Sequence, residues 1–190
     1  LHKLTHSFPT RRSSDLPARV AVFGLGGVGS FTVEALARAG IGSLRVVDHD
    51  CVNPTNLNRQ LFALHSTLGL PKVEVARARI LDIHPEAIVD ARHRFINGDS
   101  VDELLQPAPD VVVDAIDSLN AKVALLEAAH RKRLTTVSAM GAGGKFRGDL
   151  IQVADLDDTW NCPLARLVRK RLHARGVRKG ILCVFSPEPC

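Results

Sequence analysis

Cysteine is scarce in this chain, and long apolar runs are missing. Its 190 residues contain four cysteines, Cys51, Cys162, Cys183 and Cys190, and no two of them form a CxxC pair. This spacing argues against a structural zinc site, which takes closely spaced pairs of ligands. A membrane span needs about eighteen consecutive apolar residues. Because the sequence has no such run, we expect no membrane segment in it. No export signal is recognisable, which favours the reducing cytoplasm as the compartment.

What the chain does have is the composition of a folded domain. Apolar residues make up 45% and charged residues 24%, and 190 residues suffice for one domain with a substantial core. The formal charge is +5, of which residues 1–16 carry three basic residues against one acidic residue, a net of +2. Their FPTRRSSDL resembles a translated sequencing adapter, so we expect residues 1–16 to be a non-native leader and the fold to begin near Pro17. An arginine-bearing disordered tail is the alternative.

Apolar segments of two kinds alternate along the rest of the chain. Short runs rich in branched apolar residues predict strands at residues 18–24, 43–48, 87–94, 110–117, 134–139 and 149–155. Amphipathic segments between them predict helices at residues 27–40, 71–85 and 120–133. In the first helix, Phe31, Ala35 and Leu36 are expected to face inward. The alternation is typical of an α/β fold with a doubly wound, Rossmann-like sheet that is mostly parallel.

A glycine-rich turn follows the first predicted strand in FGLGGVGS. Gly24 and Gly26 allow a tight turn and a close approach of the backbone to a phosphate, and Gly29 lets the next helix pack on the strand. The first amides of that helix would face an anion. Asp48, at the end of the second strand, is placed to accept hydrogen bonds from a ribose. This fingerprint fits both NAD and ATP.

The polar residues beyond Asp48 favour ATP. They are Asn56, Asn58, Arg59, Gln60, Lys72 and Asp117. Cations at the ligand edge of the sheet can neutralise phosphates and the charge that develops as pyrophosphate leaves, and a carboxylate can hold Mg²⁺ there. Taken singly, the asparagines fit turn formation, Arg59 and Lys72 fit solvated surface charge, and Asp117 fits a helix N-cap. Their placement at one edge of the predicted sheet indicates ATP.

Five motifs in succession, GLGGVGS, VVDHD, TNLNRQ, GLPKVE and DAIDS, resemble the ThiF-type adenylation domain, which is related to ubiquitin-activating enzymes. The resemblance extends over residues 18–155 and implies an ATP-binding adenylation domain at residues 17–157. It implies that Arg59, Lys72 and Asp117 take part in catalysis, with Asp117 holding Mg²⁺. The residues that it assigns to ATP are Gly24, Gly26, Gly27, Gly29, Asp48, Asp50, Asn56, Arg59, Gln60 and Lys72.

The later segments, SAMGAGGKFRGDLIQVAD and CVFSPE among them, are similar to one branch of that family, the tRNA threonylcarbamoyladenosine dehydratases. This resemblance implies an ATP-dependent enzyme that activates the carboxylate of threonylcarbamoyladenosine in tRNA. A group of the same modification then closes a ring, with net loss of water. The resemblance also implies a homodimer and leaves sulfur-relay proteins open as partners. The alternative is adenylation of the C-terminus of a ubiquitin-like sulfur carrier. An NAD(P)-dependent oxidoreductase fits less well because of TNLNRQ.

Residues 158–190 form a basic C-terminal segment. A helix is predicted at residues 164–179, with apolar residues on one face and cations around them. A solvated amphipathic helix explains the apolar face, but the density of arginines favours contact with a tRNA backbone. The candidates for that contact are Arg166, Arg169, Lys170, Arg171 and Arg175. Because aromatic residues are few, we expect tRNA recognition to depend on shape and charge.

Three further predictions concern the second half of the chain. The loop at residues 141–144 should lie near the ligand edge and help to seat the substrate adenosine. Cys183, flanked by apolar residues, should be a packed thiol with a raised pKa rather than a nucleophile. The dehydratases have an N-terminal helical segment and a C-terminal continuation that this sequence does not match. We therefore expect a fragment truncated at both ends, with impaired nucleotide binding and activity.

Overall fold

The computed structural model describes residues 17–189, so the predicted leader, residues 1–16, and Cys190 lie outside the described residues. Within this range, seven strands form one sheet. They are β1 Arg19–Phe23, β2 Ser43–Asp48, β3 Ile88–His93, β4 Val111–Asp114, β5 Thr135–Ala139, β6 Gln152–Asp155 and β7 Leu182–Phe185. The helices are α1 Gly27–Arg38, α2 Lys72–Ile83, α3 Val101–Leu104, α4 Leu119–Arg131 and α5 Pro163–His173. Among the described residues, no helix has the length and apolar content that crossing a bilayer requires.

The strand order is β3-β2-β1-β4-β5-β7-β6. Neighbouring strands pair in parallel except β6 and β7, which are antiparallel. The mostly parallel, doubly wound sheet that the sequence predicts is therefore confirmed. The chain order reverses between β1 and β4. In open sheets of this kind, ligands bind in the crevice beyond the carboxyl ends of the strands on either side of such a reversal.

Two elements were not predicted from the sequence, and one helix is shorter than expected. The single-turn helix α3 precedes β4, and β7 inserts between β5 and β6. The helix expected at residues 164–179 starts at Pro163, a residue suited to the first helical position, and ends at His173. The chain leaves the helix direction at Gly176, which takes a φ of +82°.

Apolar side chains cover both faces of the central strands. The helices α1 and α2 pack on one face, around Val33, and α3 and α4 pack on the other, around Leu125. A third cluster joins α5 to β7 around Val168. Because β1 lies between the first two clusters, its residues 20–23 are all buried. Such continuous burial is what a parallel sheet with helices on both faces requires.

The inner face of α1 differs from the expected one. Val33 and Ala37 are buried and Leu36 packs half-buried against the core, whereas Phe31 is 56% exposed and Ala35 is also exposed. The prediction is therefore confirmed for Leu36 and wrong for Phe31 and Ala35. At about 100° per helical residue, the positions two before and two after Val33 point almost directly away from it.

A fully buried ion pair ties β4 to α4 and β5. The Nζ atom of Lys122 lies 2.6 Å from Oδ2 of Asp114, the last residue of β4, and neither side chain is exposed. The hydroxyl of Ser138 donates to the same oxygen at 2.6 Å, and the amide of Ile116 donates to Oδ1 at 3.0 Å. Both carboxylate oxygens thus have donors, as burial of a charge requires. These contacts shape the turn that follows β4 at the carboxyl edge of the sheet.

Removing the charge of Lys122 should destabilise the fold strongly, because Asp114 would remain buried without a counter-charge. We expect Lys122→Met to lower the free energy of unfolding by about 3–5 kcal/mol, measured by urea denaturation. Arg131→Met is the matched control in the same helix, since it removes an exposed ion pair with Asp102. The control should cost less than about 1 kcal/mol. Equal losses from the two substitutions would contradict this role of the buried pair.

Candidate functional site

A cavity of about 650 Å³ opens at the carboxyl edge of the sheet, where the strand order reverses between β1 and β4. Ligand pockets usually measure about 300–1,000 Å³, so this one suits a small organic ligand. Its walls come from the glycine turn after β1 and from the segments that follow β2, β4 and β5. Nine of the ten residues expected to bind ATP line it, with Gly29 as the exception, and so does Asp117.

The glycine turn depends on two close approaches of backbone to backbone. Gly24 has a φ of +87°, and a Cβ atom at this residue would lie 2.8 Å from the carbonyl oxygen of Ala115. A Cβ atom on Gly29 would lie only 1.8 Å from the carbonyl oxygen of Gly24, which fixes the start of α1 against the turn. Gly26 caps α1 without a capping side chain. The first amides of α1 are therefore left for other acceptors, as anion binding at a helix N-terminus requires.

Asp48 is buried at the end of β2, with its carboxylate at the cavity wall. Its Oδ2 atom accepts the amide of Leu25 at 2.6 Å, and Oδ1 accepts the amide of Asp50 at 2.8 Å. An ionised carboxylate has about four acceptor positions, so two are left for a ligand. Its position at the cavity is the one that the ribose hypothesis requires.

The segment after β2 begins with a tight turn, the 3-10 helix Pro54–Asn56. Asn53 caps this helix, and the side chain of Asn56 accepts the amide of Asn53 at 3.1 Å. Asn56 therefore forms the turn and lines the cavity at once. Arg59 bonds through Nη1 to the carbonyl of Thr55 and the side chain of Asn58, each at 3.0 Å. Asn58 thus orients Arg59, and within residues 17–189 no hydrogen bond engages the Nε and Nη2 atoms of this cavity residue.

Lys72 and Asp50 form an ion pair in the cavity wall. The Nζ atom of Lys72 lies 2.8 Å from Oδ2 of Asp50, and the lysine side chain is only 5% exposed. The interpretation of Lys72 as a solvated charge is therefore wrong. Partial burial opposes ionisation of Asp50. The hydrogen bond and charge of Lys72 outweigh it, with smaller effects from His49 and His93, and hold the pKa of Asp50 below its usual value.

Asp117 stands at the turn between β4 and α4. The N-cap of α4 is Ser118, so the interpretation of Asp117 as a helix cap is wrong. Its carboxylate is exposed at the cavity, and within residues 17–189 no hydrogen bond or ion pair engages it. Carboxylate oxygen is the kind of ligand that Mg²⁺ takes in proteins. Asp117 therefore has the chemistry and the freedom that a metal ligand needs.

Three other ligand-type side chains lie together at the end of β2. Atoms of Asp48, His49 and Asp50 lie within 4.8 Å of one another. Backbone amides engage Asp48, and Lys72 engages Asp50, so these contacts already account for the grouping. We therefore keep Asp117 as the candidate metal ligand.

Several cavity residues were missed from the sequence. Phe95 and Ile96, just beyond β3, and Met140, just beyond β5, add an apolar wall. The rings of His49 and Phe95 meet edge to face with centroids 4.7 Å apart. The signal that could have found them is position: each follows directly on a strand whose carboxyl end lies at the ligand edge. Apolar and aromatic side chains are the usual lining of a pocket for an organic ligand.

The glycine loop after β5 reaches the cavity through Gly141 and Gly143, as the sequence predicts for its position. A Cβ atom on Gly141 would lie 3.6 Å from Leu164, which also lines the cavity at the start of α5. The basic helix therefore begins at the rim of the cavity. This places Arg166 about 3 Å further along the helix axis than Leu164.

The five cations expected to contact tRNA differ in their surroundings. Arg169 bonds to the carbonyl of Leu156 and to Thr159, so it holds the turn before α5. Arg171 bonds to Asn120 at 2.6 Å, and Arg175 pairs with Glu127. Arg166 and Lys170 are exposed, with no such partner in the described part of the chain. Of the five, these two are the exposed cations that have no partner among residues 17–189.

The cysteines of the described range do not build a reactive centre. Cys183 has no exposed surface and belongs to the α5–β7 cluster, and burial raises the pKa of its thiol to about 12. The prediction of a packed thiol is confirmed. Cys162 is buried in the same cluster, whereas Cys51 is exposed.

Comparison with known proteins gives a consistent result. The sequence profile of the ThiF family matches residues 13–185. The chain is 43% identical over 169 residues to the tRNA threonylcarbamoyladenosine dehydratase of Bacillus subtilis strain 168, a match that covers 89% of this chain and 66% of that protein. It is also 43% identical to the dehydratase of Escherichia coli K12, with 90% and 66% covered. The chain thus spans about two thirds of the length of these relatives.

Solved structures and more distant relatives agree with that result. The Escherichia coli dehydratase TcdA in complex with ATP matches with a TM-score of 0.87 and 41% identity, over 90% of this chain and 74% of that chain. The complex of the same enzyme with AMP gives the same values. The SAMP-activating enzyme E1 of Haloferax volcanii is 32% identical over 147 residues, covering 77% of this chain and 53% of that protein.

Substitution of Gly29 should test the packing on which the cavity depends. A methyl group there meets the carbonyl of Gly24, so Gly29→Ala must push α1 away from the turn. We expect a loss of about 3 kcal/mol in the free energy of unfolding, measured by urea denaturation. Gly98→Ala is the matched control, since nothing lies within 4 Å of its added Cβ atom. It should change stability by less than about 0.5 kcal/mol, and a similar loss in both variants would refute the close approach.

Proposed function

This chain belongs to the ThiF family, and from that premise we propose that it adenylates a carboxylate with ATP. We propose further that the carboxylate is that of threonylcarbamoyladenosine in tRNA, and that the reaction ends in dehydration and ring closure. The relatives at 43% identity are dehydratases of this nucleoside, and structures of one of them hold ATP or AMP. Because the chain spans 66% of the length of those relatives, the whole activity is a proposal for this chain.

The observation that carries the proposal is the meeting of four side chains at one cavity. Asp48 ends β2, Arg59 lies in the loop that follows, Lys72 begins α2 and Asp117 follows β4. All four line the cavity above the glycine turn. A ribose ligand, two cations and a free carboxylate are the set that a metal-bound nucleoside triphosphate requires. A dehydrogenase would need the ribose ligand and the glycine turn but not the other three, which makes an NAD(P)-dependent oxidoreductase the weaker hypothesis.

The geometry supports a proposed role for each residue. Asp48 receives the ribose hydroxyls with its two remaining acceptor positions. The open amides of α1, together with Gly24, Gly26 and Gly27, face the phosphates. Arg59 and Lys72 neutralise the negative charge that grows on the leaving pyrophosphate, the kind of stabilisation that counts most in a site shielded from water. Asn56 and Gln60 shape the turn that presents Arg59.

The residues at the cavity also fit a magnesium ion. Asp117 is exposed at the cavity and is not engaged by other side chains of the described residues, so it would hold Mg²⁺ directly. Bound there, the ion would offset phosphate charge. The chain itself supplies the other cations, Arg59 and Lys72, and the amides that face the phosphates.

The reaction divides into two displacements. A carboxylate oxygen of the modified adenosine attacks the α-phosphorus of ATP, and pyrophosphate leaves as an acyl-adenylate forms. A nucleophile of the same modification then attacks the activated carbonyl carbon, and AMP leaves as the ring closes. Because that nucleophile is already tethered beside the carbonyl, proximity supplies much of the acceleration. No thiol nucleophile is needed, which agrees with the buried, high-pKa thiol of Cys183.

The proposed function also implies partners and a cellular compartment. We propose that tRNA lies over the rim formed by residues 141–144 and the start of α5, with Arg166 and Lys170 on its phosphates. A homodimer, a cytoplasmic location and sulfur-relay proteins as partners belong to this proposal. The second candidate, adenylation of the C-terminus of a sulfur-carrier protein, uses the same ATP site and is supported by similarity to the SAMP-activating enzyme. Its lower identity places it second.

Turnover of modified tRNA tests the proposed function directly. The chain is incubated with ATP, Mg²⁺ and tRNA that carries threonylcarbamoyladenosine, and the digested nucleosides are analysed by mass spectrometry. The wild-type chain should produce the nucleoside that has lost one water. Arg59→Ala should reduce kcat by about 100-fold, because it removes charge stabilisation in the transition state.

Arg77→Ala serves as the control for this experiment, since Arg77 is exposed on α2 and pairs only loosely with Glu74, at 3.9 Å. It should leave turnover unchanged. If Arg59→Ala is as active as this control, the role of Arg59 is wrong. If tRNA is never converted but a sulfur-carrier tail supports pyrophosphate exchange, the second candidate replaces the first.

Two exposed cations of α5, Arg166 and Lys170, should contribute to tRNA binding. Replacing both in Arg166→Ala/Lys170→Ala should weaken binding and reduce the slope of log K against log salt by about 2, since each phosphate contact contributes about 0.7–0.9. The measurement is a filter-binding or anisotropy titration with tRNA at several salt concentrations.

The double variant Arg178→Ala/Lys179→Ala is the matched control for these two cations of α5. It removes the same charge from exposed residues that precede β7, at the edge of the sheet opposite the cavity. This control should leave the salt slope almost unchanged. Equal slopes in the two double variants would show that net charge, rather than the rim of the cavity, governs binding.

A further inference from the structure

Lys72 carries its charge into an almost closed space. Its side chain is 5% exposed, whereas that of its partner Asp50 is 51% exposed. Besides the contact of 2.8 Å between Nζ and Oδ2, the backbone amide of Lys72 donates to the carbonyl of Asp50 at 3.0 Å. The lysine is thus fixed to the end of β2 at its backbone and at its tip. Water can reach the carboxylate, but it scarcely reaches the ammonium group.

We propose that Asp50 is a positioning residue, which keeps Lys72 protonated and in place at the cavity and does not itself bind the nucleotide. A buried ammonium ion without a counter-charge gives up its proton readily. A neutral amine would neither attract a phosphate nor offset its charge. This inference rests on the proposed function, since it assigns Lys72 to the phosphates of ATP. It revises the expectation that Asp50 is an ATP ligand.

The contacts of Asp50 support a role that acts through Lys72. Its Oδ2 atom is taken by Lys72, and its Oδ1 atom lies 3.3 Å from Nε2 of His49. One of the two nitrogen atoms is the ammonium group of Lys72, so the nearest charge to the carboxylate is the cation that it would position. A carboxylate turned toward a polyphosphate would repel it. The charge of Asp50 helps the nucleotide only by holding a cation.

A continuous series of hydrogen bonds joins this pair to the glycine turn. The amide of Leu25 donates to Asp48, the amide of Asp50 donates to the same carboxylate, and Lys72 donates to Asp50. The series connects the glycine turn to the ammonium group of Lys72 through two carboxylates. Moving Asp50 would therefore change the position of Lys72 as well as its charge.

Asp50 supplies the counter-charge of Lys72 among the groups that surround it in the described residues. At the strand ends and the cavity, the charged or titratable groups are Asp48, His49, His93, Arg59 and Asp117. On the packed helices α1 and α2 they are Glu34, Arg38, Arg79, Glu74 and Arg77. Glu34 and Glu74 have cations of their own. Arg59, at the same cavity, is a second cation and not a counter-charge.

The test is the pH dependence of ATP binding in Asp50→Asn. ATP affinity is measured with Mg²⁺ by isothermal titration calorimetry from about pH 7.5 to about pH 9.5, above the range where ordinary imidazoles change charge. The wild-type affinity should be nearly constant. The variant should bind within about threefold of wild type at the lower pH, where the lysine is charged. It should lose at least about tenfold by the higher pH, as the charge disappears.

Two control variants separate charge from other effects. Asp50→Glu keeps the carboxylate and should restore the flat profile. Glu74→Gln removes a negative charge two residues from Lys72 that does not touch it, and it should also leave the profile flat. If Asp50→Asn loses the same affinity at every pH, Asp50 is a nucleotide ligand and the proposal is overturned. A profile as flat as that of wild type overturns it as well.

A second measurement covers the case in which Asp50→Asn does not fold. Acetylation of lysines in the wild-type chain is followed against pH by peptide mass spectrometry, without nucleotide. The labelling of Lys72 should be slower than that of the exposed Lys170 at every pH, because Asp50 engages its ammonium group. Labelling as fast as that of Lys170 would mean that Asp50 does not hold the ammonium group, which overturns the proposal. If wild type binds no ATP at all, the proposed function fails, and this labelling still decides the role of Asp50.

Discussion

The buried carboxylate of Asp48 is the contact on which the cavity depends. It accepts the amide of Leu25 in the glycine turn and the amide of Asp50 beyond β2. One side chain therefore joins two loops that come from different strands. Hydrogen bonds to an ionised acceptor are short and strong, and a buried charge that loses its donors is costly. Neither loop can shift alone without leaving that charge unsatisfied, so the cavity is preorganised before any ligand enters.

A second buried carboxylate joins separate elements on the other side of the point where the strand order reverses. Asp114 is the last residue of β4. Its carboxylate accepts hydrogen bonds from Lys122 of α4, Ser138 of β5 and the amide of Ile116. The turn that carries Asp117 follows directly. A pair of apolar residues could pack the same volume without the cost of desolvating two charges. The ion pair instead has a directional effect. It fixes the positions of β4, α4 and β5 relative to one another at the cavity, where the exposed carboxylate of Asp117 must face the ligand.

The residues at the cavity could be predicted from the sequence more fully than the packing around them. The glycine turn GLGGVG could be predicted because a phosphate-binding turn requires glycine at given spacings. The acid at the end of β2 could be placed at the same site because parallel strands bring distant loops to one edge of the sheet. The orientation of Phe31 could not be predicted, since apolar residues occur on more than one side of α1. Arg169 gave no signal either, because its partners at residues 156–159 are brought to it only by the tertiary fold. Which acceptor a given surface cation binds depends on the tertiary fold and cannot be read from the sequence.

The balance of charge at the cavity explains why a metal ion belongs to the proposed chemistry. Asp48, Asp50 and Asp117 bring three negative charges to the cavity, and Arg59 and Lys72 bring two positive ones. A nucleoside triphosphate adds several more negative charges, and at short range in a partly shielded site each unpaired like-charge contact is costly. Amides of α1 offset part of this through the helix dipole. Asp50 is already matched by Lys72, and Asp48 by two amides. Asp117 is then the carboxylate of the three that has no partner among the described residues, and a divalent cation at this position would match both it and the phosphates.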